Sequence, residues 1–379
     1  MKIIKKITAL VLVVLMIMAT AGCSTKAEWS FKTDNKELAV GVYIYSLYSA
    51  YSEAANLASE LEDYNSEESF LNLEIQGEDD DAPMKAEQWI VERAKKICRT
   101  MLAVEDDAKT YDIKISSDIL SSIDAAAESD WTLGPNYQYY AALGYASTPY
   151  ESLLYPLGVS FDSFKYSYYI ANQLQYELFC KLYKEGGDKA VSDEELKEFF
   201  YDNYTSYKYF TVSLTNTEED EDGNSSAVAM TDSEKKAIKK QIQAYIDDVN
   251  SGEKTWDDIR AEYMEDKELE SDPSYANTEV LENSTVSDEV KELLADLAEG
   301  KADMVEVGSD TSAVLYVVYK TPLADVEEDN LGTDDAAEAV LIQYKSDEYA
   351  EYLEEKAAAM SISENTSVIN KYKPKMFEE

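Results

Sequence analysis

The sequence predicts a mainly helical α+β protein in which a small strand-containing unit lies between two helical regions. Three observations lead to this fold class. Residues 192–214 begin with a helix-capping pattern, Ser192 followed by Glu195, and end in the alternating side chains of a strand. Residues 207–320 follow the order strand, three helices, two strands, which fits a small α+β domain of roughly 110 residues. The tail, mainly a helix over 334–359, is too small to fold alone, so we expect it to pack on the first helical region.

The composition excludes several classes of function. The chain has 34 basic and 77 acidic residues, a formal net charge of −43, and residues 1–22 contain three Lys and no acid, so the remainder carries −46. Such a charge repels phosphate backbones and anionic lipid headgroups, which argues against nucleic-acid binding and against membrane attachment through a basic patch. The chain has no His. The commonest general base and every Ser-His or Cys-His dyad are therefore excluded, and we assign no catalytic residue, metal or cofactor.

The N-terminus has the layout of a targeting segment. Three Lys precede a short apolar run, and small residues then lead to Cys23. The run is too short for a comfortable membrane span, so residues 1–22 are interpreted as a signal peptide. Gly22 and Ala21 before the cysteine resemble a bacterial lipobox, which implies cleavage before Cys23, its acylation and a lipidated tether over 23–34. The alternative is a plain secretory signal in which Cys23 has no role.

The first helical region is divided by loops and helix breakers. A strand-like run, VGVYIY at 40–45, leads into a helix rich in Tyr and Ala. The acidic loop 78–83 lacks the ligand spacing of a calcium site and is interpreted as a solvated loop. Apolar residues at alternating steps of four and three predict a long helix over 85–111. Further helices are predicted over 118–131 and 161–183, with short segments containing Gly and Pro between them.

The middle region combines strands with capped helices. Strands are predicted over 207–214, 302–307 and 313–320, and helices over 231–250, 255–264 and 287–298. The acidic loop 218–226 carries Gly in fourth place, whereas an EF-hand calcium loop needs it in sixth. This loop is therefore interpreted as an insertion and not as a metal site.

Four passages in this order resemble the PrsA/SurA class of extracytoplasmic foldases. They are 103–118 (AVEDDAKTYDIKISSD), 153–183 (LLYPLGVSFDSF and its continuation), 192–203 (SDEELKEFFYDN) and 233–266, which looks like the parvulin helix. The resemblance implies a discontinuous SurA-N/PrsA-like helical chaperone domain and an inserted, small α+β parvulin-like domain of peptidyl-prolyl isomerase type. The implied bounds are 35–203 for the helical domain, 204–322 for the insertion and 323–379 for the returning C-terminal helix. The class also implies a lipid-anchored position outside a bacterial cytoplasmic membrane of Gram-positive type.

The chain departs from the parvulin pattern at the positions that carry its chemistry. The class places one His on the first strand of this domain and another on the last strand. Here these positions fall near Tyr209 or Phe210 and near Leu315, which are aromatic or apolar. Residues 274–284 replace the usual Gly-rich loop. Because prolyl isomerisation has a barrier of ~20 kcal/mol that such polar groups help to lower, we expect weak or absent isomerase activity.

Tyrosines are dense from residue 137 to residue 176 and allow two interpretations. The resemblance favours a cradle that holds unfolded chains through amphipathic rings, and the alternative is ordinary helix packing with the hydroxyls in water. The candidate client-binding residues are Tyr137, Tyr139, Tyr140, Tyr145, Tyr150, Tyr166 and Tyr169.

Two further residue pairs leave alternatives open. Cys98 and Cys180 lie in predicted helices of an exported protein, and they either form a disulfide or serve as small core residues. Adjacent carboxylates such as Asp257 and Asp258 would have to flank a sugar cleft to act as a glycosidase site, which a sequence does not show. Neither pair is assigned a catalytic role.

The expected function is a membrane-anchored chaperone that binds unfolded or newly exported polypeptides without ATP, cofactor or isomerase catalysis. The acidic surface would keep clients soluble and favour basic ones. Two alternatives stay open: an active isomerase with a rewired site, and a non-catalytic binding or scaffolding lipoprotein. A homodimer is also left open.

Overall fold

The computed structural model describes residues 28–61, 64–77, 82–219 and 225–378. The chain divides into two compact units: Met1–Ala190 with Ser346–Glu379, termed the helical unit, and Val191–Lys345, termed the sheet unit. Cys23 and the acidic runs 78–81 and 220–224 lie outside the described residues. Lipidation, the signal peptide and the tether therefore stay predictions. No helix in the described part of the chain is long and apolar enough to cross a bilayer.

The helical unit begins with short strands and continues as a series of helices. Its first strands are β1 (Trp29–Lys32), β2 (Glu37–Ala39), β3 (Glu74–Ile75) and β4 (Met84–Lys85). Its helices before residue 190 are α1 (Val40–Ser59), α2 (Ala86–Thr110), α3 (Ser117–Leu133), α4 (Tyr137–Ala142), α5 (Tyr150–Leu154), α6 (Phe161–Lys165) and α7 (Ala171–Tyr183). A π-helical turn, Tyr166–Ile170, joins α6 to α7. The single helix predicted over 161–183 is therefore interrupted by one wide turn.

The strand-like run at 40–45 is helical, which corrects the sequence interpretation. Helix α1 starts at Val40, and residues 42–47 are all buried. A short apolar run that is covered on every side has no period of its own, so its sequence does not distinguish a strand from a buried helix. Further along α1, Ala54 belongs to the same buried cluster as Ala94 and Cys98 of α2, and these small side chains let the two helices approach closely.

The sheet unit contains an antiparallel four-stranded sheet in the order β8-β5-β10-β9. Its strands are β5 (Tyr204–Ser213), β6 (Thr215–Glu219), β7 (Ser225–Ala229), β8 (Tyr275–Val280), β9 (Lys301–Val307) and β10 (Val314–Thr321). Its helices are α8 (Asp193–Asn203), α9 (Asp232–Ser251), α10 (Trp256–Asp266), α11 (Asp288–Asp296), α12 (Leu323–Leu331) and the first part of α13 (Asp334–Ala359). The predicted cap of α8 is confirmed, because Ser192 and Glu195 exchange hydrogen bonds in a capping box. The mainly helical α+β class is likewise confirmed.

The C-terminal segment packs on the helical unit. The Tyr349 ring lies against Phe179, with ring centroids 5.4 Å apart, and its hydroxyl donates to the Gln175 carbonyl oxygen at 2.7 Å. After α13, β11 (Ser363–Glu364) pairs with β1, and a last short helix, α14 (Thr366–Ile369), follows. The helical unit is therefore built from two separate stretches of chain that share one core.

Candidate functional site

An uncharged, tyrosine-rich segment projects apolar side chains into solvent from the helical unit. Residues 131–150 contain no charged side chain, although 29% of all residues in the chain are charged. The large apolar side chains exposed on this segment and its continuation are Leu133, Tyr137, Tyr139, Tyr140, Leu143, Tyr145, Leu153 and Tyr155. We call these eight exposed side chains the tyrosine surface. Isolated exposed apolar residues are ordinary, but a run of this kind marks a contact surface.

Backbone conformation and an aromatic core hold the tyrosine surface in place. Gly134, directly after α3, has φ +91°, and a Cβ atom there would lie 2.6 Å from the Thr148 carbonyl oxygen. Glycine is therefore required where the segment turns away from the helix. Beneath the segment, the buried Trp131 ring lies 5.3 Å from the ring of Phe164, with both rings in the core that also contains Leu154. The surface is thus presented by a packed base.

The structure separates the seven candidate tyrosines into two groups. Tyr137, Tyr139, Tyr140 and Tyr145 lie exposed on the tyrosine surface. The remaining three candidates, Tyr150, Tyr166 and Tyr169, are packed against the core of the helical unit. Sequence reasoning missed Tyr155 and the three exposed leucines, although the absence of charge over 131–150 was a signal for this surface.

The three packed tyrosines have structural contacts that explain their position. The Tyr150 ring lies 5.0 Å from that of Phe164, and burial raises the pKa of its hydroxyl to about 12. Tyr166 donates to Glu105 at 2.9 Å and Tyr169 donates to Asp130 at 2.6 Å. Burial, followed by the neighbouring carboxylate, raises the pKa of each of these two hydroxyls above its usual value. These three rings therefore pack between helices, as the alternative interpretation of the tyrosine-rich region expected.

Acidic residues, which we call the acidic margin, flank the tyrosine surface in the sequence. Residues 117–165 contain six Asp and Glu and one Lys, Lys165, which forms an ion pair with Asp124 at 3.0 Å. A polypeptide carrying Lys or Arg between apolar residues complements this arrangement, because its charges meet the acidic margin while its side chains cover the rings. Cations also interact favourably with the faces of exposed tyrosine rings.

The residues expected in place of the parvulin histidines divide between the two faces of the sheet. Phe210 and Leu315 are buried in the core formed with α9 and α10, and the Phe210 ring lies 4.6 Å from that of Tyr263. Tyr209 pairs with Val318 on the opposite face and stacks on Tyr275 at 5.2 Å. Tyr209 and Leu315 therefore do not face a common site. None of the three side chains offers a general base.

A buried polar network lies on the face that carries Tyr209. The Tyr207 hydroxyl donates to Glu279 Oε1 at 2.5 Å, lies 3.0 Å from Ser284 Oγ and accepts from the Asn277 amide at 3.3 Å. Burial, followed by the hydrogen bond to Glu279, raises the pKa of Tyr207. The phenol thus stays protonated at neutral pH, and its side chain is fully buried. This network supports the sheet and is closed to a reacting substrate.

The remaining candidate chemistry is also accounted for structurally. Cys98 and Cys180 do not form a disulfide, which answers the alternative left open by the sequence. Cys98 is a core residue, and burial raises its thiol pKa to about 12. Asp258 caps α10 through Thr255, which lowers its pKa, whereas the acid of a glycosidase needs a raised pKa. Among the described residues, no group of three or more potential ligands could hold a metal ion.

Comparisons with known proteins add little to these observations. No family model matches the chain, and no curated protein matches it. Among solved structures, the foldase protein PrsA from Streptococcus pneumoniae is similar over 78% of this chain and 97% of its own, with 16% identity and a TM-score of 0.31. PrsA from Bacillus subtilis is similar over 76% of this chain and 92% of its own, with 13% identity and a TM-score of 0.25. At these scores the likeness carries no argument about this chain.

Proposed function

We propose that this protein is a membrane-anchored extracytoplasmic chaperone that holds unfolded or newly exported polypeptides without catalysing prolyl isomerisation. The observation that supports the proposal most is the tyrosine surface, which combines exposed rings, an uncharged stretch of chain and a packed base. Amphipathic rings bind apolar segments of varied sequence because they offer contact area and a hydrogen-bonding hydroxyl at low conformational cost.

The net charge of the chain supports a role in keeping clients soluble rather than in catalysing their folding. A chain with a net charge of −43 repels other copies of itself and adds negative charge to any client complex, which opposes aggregation. The same charge favours basic clients over acidic ones. The exposed rings and the acidic margin together define the client as an unfolded polypeptide with apolar and basic residues.

The anchor is proposed from the N-terminal sequence. Acylation of Cys23 and removal of residues 1–22 would tether the acidic body to the membrane despite charge repulsion. Mass spectrometry of the protein from a lipidating bacterial host is expected to give an N-terminal diacylglyceryl-cysteine peptide that begins at Cys23. An unmodified Cys23, or cleavage elsewhere, would remove the anchor from the proposal and leave the holding activity to be judged separately.

Two assays on one preparation test the function. Light scattering by a chemically unfolded, basic client is expected to fall when the protein is added in equimolar amounts, and a protease-coupled assay on a proline peptide is expected to stay at the uncatalysed rate. Clear isomerase turnover would support the rewired-enzyme alternative. Failure to suppress scattering would support the scaffolding alternative. Size-exclusion chromatography with light scattering shows whether a second copy covers the tyrosine surface, in which case client binding should compete with dimerisation.

A further inference from the structure

A recessed site that is separate from the tyrosine surface lies in the helical unit. A cavity of about 490 Å³ lies between α1, α2, α7 and the end of α13, a volume typical of ligand pockets. Its floor is apolar and buried, with Val104 and Leu353 2% exposed and Ala171 7% exposed. Its rim is open to solvent and includes Ser49. We call this cavity the helix groove.

The helix groove contains a buried hydroxyl that lacks a partner. Ser167 is 4% exposed and lines the groove, and its Oγ has no hydrogen bond to any residue that the structure describes. The other buried serine of the groove, Ser46, donates to the Val42 carbonyl oxygen at 2.9 Å and accepts from Cys98. An unpaired buried hydroxyl is costly, so each one calls for an explanation, and an absent ligand is one such explanation. Thr321 in the sheet unit also has a buried hydroxyl without a partner among the described residues, so the hydroxyl of Ser167 does not assign a site by itself.

The backbone at Ser167 is also unusual. The residue lies in the π-helical turn Tyr166–Ile170, and π turns inside helices are rare and concentrate at functional sites. The wide turn and the unpaired hydroxyl are independent observations at one place. Both features are typical of binding sites.

Charge and polar groups define what the helix groove would accept. Its charged residues are Arg93, Lys96 and Glu354, a net of +1 in a chain whose net charge is −43. Each cation is already paired, Arg93 with Glu53 at 2.9 Å and Lys96 with Glu354. The remaining polar lining consists of hydroxyls and amides, which suit an uncharged partner with its own amide groups.

The dimensions favour an extended chain. One wall of the groove is α2 from Arg93 to Val104, and a second wall runs from Ser167 to Gln175. At ~1.5 Å per helical residue these walls are roughly 12–16 Å long, which matches four or five residues of extended polypeptide at ~3.3 Å each.

We propose that the helix groove binds an extended, uncharged segment of four or five residues, with Ser167 hydrogen-bonded to its backbone and aliphatic side chains covering the apolar floor. This inference rests on the proposed function. It gives the chaperone a second client-binding site in addition to the tyrosine surface, and this site prefers uncharged segments rather than basic ones. A client would thus bind through basic and apolar residues at the tyrosine surface and through an uncharged segment in the groove.

Fluorescence polarisation with a capped, labelled pentapeptide that contains two Leu, one Ala and two Gln tests the proposal on the full chain. Ser167→Ala removes the unpaired hydroxyl, so thermal unfolding is expected at higher temperature while the peptide binds about fivefold more weakly, the loss expected for one hydrogen bond. Thr321→Val is the matched control, because Thr321 also has a buried hydroxyl without a partner among the described residues but lies in the sheet unit. It should raise the unfolding temperature and leave peptide affinity unchanged.

Two further measurements separate the outcomes. Ser49→Trp adds bulk at the exposed rim and is expected to weaken binding at least tenfold without loss of stability. Replacing the two Gln of the peptide by Lys should weaken binding, because the charged residues that line the groove carry a net of +1 and an ammonium group without a partner is costly to bury. Absence of peptide binding, or Ser167→Ala and Ser49→Trp affinities within twofold of the parent, would overturn the groove proposal. Client holding without pentapeptide binding rejects the groove alone, whereas pentapeptide binding without client holding rejects the proposed chaperone function.

Discussion

Replacing three exposed rings of the tyrosine surface should abolish most client binding without unfolding the protein. The triple variant Tyr139→Ser, Tyr145→Ser, Tyr155→Ser removes side chains that are 65%, 69% and 67% exposed. Because these rings make so little contact with the rest of the chain, the free energy of unfolding is expected to change by less than about 0.5 kcal/mol per site.

The magnitude follows from the area that a client can cover. A tyrosine buries ~150–250 Å² when fully covered, so two-thirds exposure leaves roughly 130 Å² per ring and about 400 Å² for the three. Full coverage at ~25 cal/mol per Å² gives a ceiling of ~10 kcal/mol. The measured binding free energy contains only part of this maximum, because association also has entropic costs. If a quarter is realised, the triple variant loses ~2.5 kcal/mol of binding free energy, and its Kd for the client is roughly 70-fold higher than that of the parent.

The assay is fluorescence polarisation of a labelled, permanently unfolded basic client, with light scattering of the same client as a second readout. Tyr275→Ser is the matched control, because Tyr275 is 61% exposed but lies in the sheet unit. The reasoning is refuted if the triple variant binds within threefold of the parent, or if Tyr275→Ser loses as much affinity. Raising the salt concentration should weaken parent and variant by similar factors, since screening acts on the acidic margin and not on the rings.

Three further predictions concern the packing and charge of the two units. Asp107→Ala should lower the free energy of unfolding by about 3 kcal/mol, as measured by urea titration. The Asp107 carboxylate is 2% exposed and accepts hydrogen bonds from Tyr352 and Lys356, each at 2.6 Å. Its removal leaves Lys356 without its closest partner. Smaller losses for Tyr352→Phe than for Asp107→Ala are expected, and the reverse order would contradict this account. Thr231→Ala should lower the free energy of unfolding by ~1 kcal/mol in the same titration, because Thr231 and Glu234 form the capping box of α9. Ser226→Ala, at a nearby exposed position, is the control and should leave the free energy of unfolding unchanged. Hydrogen bonds from Lys239 and Lys235 lower the pKa of Glu306 in the folded protein. This carboxylate therefore stabilises the fold at pH values above its unfolded pKa of ~4.3. That stabilisation is lost as the pH falls through the folded pKa. The stability difference between parent and Glu306→Gln should accordingly be largest above pH ~5 and shrink in acid; a constant difference from pH 3 to pH 7 would refute it.

Local sequence patterns predicted most of the individual elements. The α8 cap at Ser192 and the α9 cap at Thr231 are short-range hydrogen-bonding patterns, so the residues that form them are adjacent in the sequence. The tail helix Asp334–Ala359 and the β5 strand were likewise predictable from period and cap signals. The buried start of α1 was not, because a fully covered helix has no polar face to reveal its period.

The sequence by itself determined the acidic charge, the absence of His and the uncharged tyrosine-rich run, because these are properties of composition and order alone. Only the tertiary structure decided which tyrosines face solvent, since Tyr145 and Tyr150 lie five residues apart in the same tyrosine-rich run but one is exposed and the other packs on Phe164. The helix groove also depends on tertiary structure, because its lining residues come from stretches of chain as far apart as Tyr45 and Glu354. The same packing buries Ser167, whose hydroxyl has no partner among the described residues. Burial and pairing are set by contacts distant in sequence, which no local pattern records.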